Sequence, residues 1–154
     1  MNFDAIKKDV LYEDGSLRDI LIRGKARLVY NDLCDLLSRQ GIRHEISIDE
    51  RPATIDEAIA EFAKGSERLF PFIRFYAGDI CLVCHFFDEQ EMEIDFRPNE
   101  IKKSSDWDAI QGLLEVFSAQ FHQPIAIYAE GDHDTKLYET GAQQTQSGYA
   151  SRSC

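Results

Sequence analysis

Between Glu91 and Phe96 the chain alternates acid and apolar without a slip, with Glu91, Glu93 and Asp95 on one parity and Met92, Ile94 and Phe96 on the other. A period of two marks an extended strand, because successive side chains leave a strand on opposite faces. Such a strand must lay its apolar face on a core and its acidic face toward water. Buried parallel sheets read as apolar on both faces, so this segment asks for an antiparallel sheet with one side covered and one side open.

The rest of the chain supplies the partners. Ile42, His44, Ile46 and Ile48 alternate with Arg43, Glu45, Ser47 and Asp49, which predicts a second half-buried strand. Leu69 to Ala77 is aromatic and β-prone, Gly78-Asp79 supplies a turn, and Ile80 to Phe87 is strongly apolar, so these two segments are expected to pair as a hairpin. A further hairpin is expected around Asp14-Gly15, between Val10–Tyr12 and Leu17–Arg23, and a short last strand over Ile125 to Ala129.

Three segments carry helical spacing instead. Val29, Leu33, Leu36 and Leu37 fall on one stripe within Ala26 to Leu37, ahead of Gly41. Thr54 and Glu57 form a capping box before the stripe Ile55, Ala58, Ile59 and Phe62, and Gly65 follows as a stop. Ser104 or Ser105 opens the third helix, in which Trp107, Ile110, Leu114, Phe117 and Phe121 recur before Pro124. The expected fold is α+β, a mainly antiparallel sheet of about six or seven strands with three helices packed mostly on one face. With 154 residues, 44% of them hydrophobic, the expectation is a single domain over 1–130 followed by a polar, flexible tail over 131–154. A chain of this length buries roughly 70% of its unfolded surface, so its core needs neither metal nor disulfide, and no cofactor is expected.

Acidic residues outnumber Lys and Arg by 28 to 17, for a formal net charge of -11. Phosphate binding rests on clustered cations, so nucleic acid is excluded as the main partner and a basic protein is favoured. The charged N-terminus lacks the apolar core of an export signal, and the longest apolar run, Ile80 to Cys84, is five residues, far short of a bilayer span. A cytoplasmic protein with no membrane association is expected. Cys34, Cys81, Cys84 and Cys154 are too sparse for a disulfide framework and are expected as free thiols.

Candidate chemistry is thin. Cys81 and His85 share one strand face while Cys84 takes the other, so the two thiols cannot converge on one ion. His133, between Asp132 and Asp134, reads as a solvated turn, and His44 as a packed or hydrogen-bonded histidine on an apolar face. Nucleophile elbows and phosphate-binding glycine loops are missing from the sequence, and no catalytic or metal-ligating residue is assigned.

The acidic row says more. If extended from residue 89, Glu89, Glu91, Glu93 and Asp95 project from one face at about 6.8 Å intervals. Neighbouring like charges then repel by about half a kcal/mol in water, so the row is tolerated rather than stabilising. It serves either as a solvated face that discourages aggregation or as a docking surface for a basic partner, with Phe87 and Tyr76 as aromatic anchors.

The segment Leu11-Tyr12-Glu13-Asp14-Gly15-Ser16-Leu17-Arg18-Asp19-Ile20, the helix and alternating strand after it, and Cys84-His85-Phe86-Phe87 leading into Glu91-Met92-Glu93-Ile94-Asp95 resemble a group of small bacterial proteins. Some of these are thought to be immunity proteins encoded beside secreted or contact-delivered toxins. The resemblance spans about residues 10 to 130 and implies neutralisation of a cognate toxin domain, such as a nuclease; it carries over no catalytic residue. The leading expectation is therefore a non-catalytic protein-binding domain of immunity type. A small-ligand-binding or accessory domain and an enzyme of unfamiliar design stand as alternatives, and the exposed aromatic strands leave a homodimer open.

Overall fold

The computed structural model describes residues 2–24, 26–65 and 70–140. Along them the elements run α1 (Phe3–Asp9), β1 (Arg18–Arg23), α2 (Ala26–Arg39), β2 (His44–Ile48), β3 (Arg51–Pro52), α3 (Ile55–Ala63), β4 (Pro71–Ala77), β5 (Ile80–His85), β6 (Glu91–Phe96), α4 (Ser104–Phe121), β7 (Ala126–Ala129) and β8 (Asp132–Glu139). A 3-10 turn at Pro98–Glu100 precedes α4. The architecture is α+β, as expected, with one more helix and slightly more strands than the sequence suggests. No helix among the described residues is long and apolar enough to cross a membrane.

The chain forms two compact units, one of residues up to Ile20 with those from Arg97 onward, the other Leu21–Phe96; a single domain over 1–130 is the sequence expectation. In Leu21–Phe96 the strands β2 to β6 lie in the order β3-β2-β4-β5-β6, and each pairing is antiparallel. Alternation decides the two faces. Ile73, Phe75, Ala77, Ile80, Leu82, Cys84, Met92, Ile94 and Phe96 are buried, on the side where α2 meets β6 and α3 meets β2 and β4. Between helices and sheet, Tyr30 stacks on Phe86 at 3.7 Å and Phe62 meets both rings edge-on. The Tyr30 hydroxyl donates to the His85 carbonyl at 2.7 Å, which gives this buried phenol its partner.

Capping fixes the helix ends. Thr54 and Glu57 close the expected capping box of α3, and α4 stops where His122 turns left-handed at φ 53°. Gly24 is a position only glycine fills well: its φ is +150°, and a Cβ there would come within 2.7 Å of the Val29 side chain.

The other unit departs most from expectation. No strand forms at Val10–Tyr12. The segment instead wraps the Arg18 side chain, which is fully buried. Its guanidinium donates to the carbonyls of Val10, Tyr12 and Leu17 at 2.7, 2.6 and 2.9 Å and to Ser16 Oγ at 2.8 Å. Acceptors expected to join a hairpin ladder are satisfied by one side chain, so the ladder is not needed. Beyond Gly131 the expected tail begins as strand β8, paired antiparallel with β7. Trp107 and Gln111 of α4 reach Tyr138 of that strand, the first edge-on at 5.1 Å and the second by a 2.8 Å hydrogen bond. His133 therefore lies in a strand rather than a solvated turn, with Nε2 3.2 Å from the buried Asp19 carboxylate. The remainder of the expected tail, Cys154 included, lies outside the described residues, as does Leu69.

Candidate docking face

In Leu21–Phe96 the parity opposite to the core builds a second face. Register places Glu45 beside Arg74, Ser47 beside Phe72, Phe72 beside His85, Arg74 beside Val83 and Tyr76 beside Cys81. On the next strand Val83 lies beside Asp95 and His85 beside Glu93. Most of these side chains are half-buried, Glu45 is exposed and Ser47 is buried.

The expected acidic row is shorter than four. Glu91, Glu93 and Asp95 share β6, but Glu89 stands outside it, exposed in the 86–90 loop. The cause is local: Asp88 Oδ1 accepts from the Gln90 amide at 2.6 Å, a tight Asx turn that ends extended structure there. Asp95 is also not a bare charge, because its Oδ2 lies 2.7 Å from His85 Nε2. Glu91 meets Arg23 at 3.8 Å, a loose pair in which Arg23 is 76% exposed and which contributes little to stability.

Phe87 lies just past the end of β5 and is 60% exposed. Its ring is nearly parallel to that of His85, with 4.8 Å between centroids. One imidazole is thus held from two sides, by a carboxylate and by an aromatic face. Glu93 is directly cross-strand from His85, and Glu91 lies one pleat further toward the loop that carries Phe87. Glu91, Glu93, Asp95 and Phe87 come together at one end of the face.

Tyr76 does not join them. It pairs with Cys81 beside the β4–β5 turn, about 13 Å along the strand from Phe72, and the Arg43 guanidinium covers its ring at 3.9 Å. Arg74 likewise lies over Phe72 at 5.3 Å while meeting Glu45 at 3.8 Å. Arg43, Arg74 and Phe72 are not among the expected site residues, although the parity of Phe72 and Arg74, opposite to Ile73, Phe75 and Ala77, places these two on this face, and Arg43, just before β2, reaches it over the Tyr76 ring. His85 reads from sequence as a companion of Cys81; its role as the support of Phe87 needs the loop geometry.

Cys84 is buried on the core side and Cys81 is half-buried on the open side, so the two thiols diverge as expected. Burial raises the Cys84 thiol pKa well above its ordinary value and pushes Cys34 up to about 11. His44 is half-buried, with Nδ1 2.9 Å from the Ile42 carbonyl. No family model, curated protein or solved structure matches the chain.

Proposed function

We propose that this chain is a protein-binding domain of immunity type, which docks the acidic end of its open sheet face onto a basic partner such as a nuclease toxin domain. The observation that carries this reading is the placement of the half-buried Glu91 and Glu93 on the sheet face opposite the Leu21–Phe96 core, at the end where the exposed Phe87 follows β5. An aromatic anchor ringed by charge is the usual anatomy of an energetic hot spot. The carboxylates act at long range, steering a cationic surface toward the face and selecting it against acidic competitors. The resemblance to immunity proteins points the same way.

The test is paired capture from the native cell extract at low salt, with the chain and its Glu91→Lys/Glu93→Lys variant on separate supports. A single basic protein retained by the first, released by salt and absent from the second supports the reading. Equal retention on both columns contradicts it.

A second reading, binding of a small polar ligand, draws on a cleft of about 400 Å³ in the other unit, whose lining includes Glu13, Ser16, Arg97 and Asn99. Its volume lies within the range of small-molecule sites. Saturable, salt-insensitive heat from a metabolite panel that Arg97→Ala abolishes would favour it.

A further inference from the structure

Two short segments, distant in sequence, bound the cleft of the unit that joins residues up to Ile20 with those from Arg97 onward. One wall is Glu13 with Gly15, Ser16 and Leu17, the other is Arg97, Pro98 and Asn99, and the space between them is about 400 Å³. The first wall is set from beneath. The Arg18 guanidinium stacks on the Tyr12 ring at 4.3 Å and donates to the Tyr12 and Leu17 carbonyls and to Ser16 Oγ. Asp14 accepts from the Ser16 amide at 3.0 Å, and a Glu130 carboxylate oxygen accepts from the Leu17 amide at 3.0 Å. The second wall is a 3-10 turn anchored by the buried Pro98, in which the Glu100 amide donates to the Arg97 carbonyl at 3.2 Å. The frame is therefore built before anything binds, and only side-chain tips need ordering.

Those tips are Glu13, Arg97 and Asn99, all exposed. Among the described residues no ion pair or side-chain hydrogen bond engages them, so the two opposite charges line one cleft without closing on each other. A plain anion entering it would gain Arg97 but meet Glu13 and the field of a chain at -11; a plain cation would meet Arg97. A neutral molecule carrying both signs satisfies both ends. A guanidinium takes a carboxylate through parallel N–H donors, a glutamate takes an ammonium, and the Asn99 amide offers a donor and an acceptor to either end.

We propose that this cleft binds a small zwitterion of the amino-acid class, with its carboxylate on Arg97 and its ammonium on Glu13. The proposal rests on the small-ligand reading above and adds the chemistry of the ligand.

The test is calorimetric titration of the full chain with the standard free amino acids and with the unbranched series from β-alanine to 6-aminohexanoate, which varies the distance between the two charges. At least one is expected to bind saturably, one per chain, with a heat that salt changes little. For that probe, acetylating the amine, amidating the carboxylate, Glu13→Gln and Arg97→Gln should each weaken binding about tenfold or more. Both substituted residues are exposed, so both variants should keep the urea midpoint of the parent chain. No binding of any amino acid, or binding that neither variant weakens, overturns the zwitterion site. If the acetylated probe binds as well as its parent and only Arg97→Gln weakens both, the cleft takes a plain carboxylate: the zwitterion is overturned and the small-ligand reading stands. If the amino acids and the broader metabolite panel all give no heat, the two fall together.

Discussion

A fully buried arginine is the residue on which the 10–18 segment depends. Arg18 carries a charge into the interior, and its N–H donors are met by Val10, Tyr12, Leu17 and Ser16. Replacing it with methionine keeps the volume and leaves those carbonyls without donors, each a cost of about 1–3 kcal/mol if it stays dry. Arg18→Met is predicted to lower unfolding stability by about 3–5 kcal/mol, read from urea midpoints. Nothing in Leu17–Arg23 announces this, because a buried arginine and a solvated one are the same letter. The difference lies in carbonyls that only the fold delivers. Cys34 offers a second test. A thiol with a higher pKa in the folded chain than in the unfolded one keeps its proton longer when folded. Its contribution is intact below the unfolded value near 9 and is lost as pH climbs toward about 11. Stability should therefore fall between pH 9 and 11, and Cys34→Ala should make that fall shallower.

Elements with a regular period were legible from sequence. Glu91–Phe96 is the strand its alternation requires, and the Thr54–Glu57 capping box opens α3 as written. Thr54→Ala should cost about 1 kcal/mol of stability, since it removes the side-chain acceptor for the Glu57 amide. The end of α4 should respond in the opposite sense. His122 holds φ 53°, where a side chain is strained and glycine is not, so His122→Gly is predicted to stabilise by about 0.5–1 kcal/mol in thermal or urea unfolding. Two elements escaped the sequence reading for opposite reasons. α1 has a signal, with Asn2 capping the Ala5 amide and Ile6 and Val10 one turn apart, but it is only seven residues long. β8 has almost none: Asp132–Lys136 is exposed throughout, and the strand exists because β7 offers it a hydrogen-bonding edge. Glu89 leaves the acidic row because the Asx turn from Asp88 to Gln90 breaks the two-residue parity that its sequence position suggests.

At the scale of the whole molecule, a formal charge of -11 sets the long-range field, and under the proposed docking function the Glu91–Glu93 face is where a cationic partner would come to rest. The field and the face should be separable. In the proposed complex, charge would mainly govern the rate of encounter and a Phe87 contact how long the complex lasts. Phe87→Ala should therefore speed dissociation from the basic partner by about tenfold with little change in association. The most direct measurement of the central claim is the stopped-flow association rate with that partner across ionic strength, for the chain and for Glu91→Lys/Glu93→Lys. The rate for the unaltered chain is expected to fall at least about tenfold between low and high salt while dissociation changes little, and the variant to start slow and depend weakly on salt. An association rate that is flat in salt, or unchanged by reversal of these two charges, would contradict it.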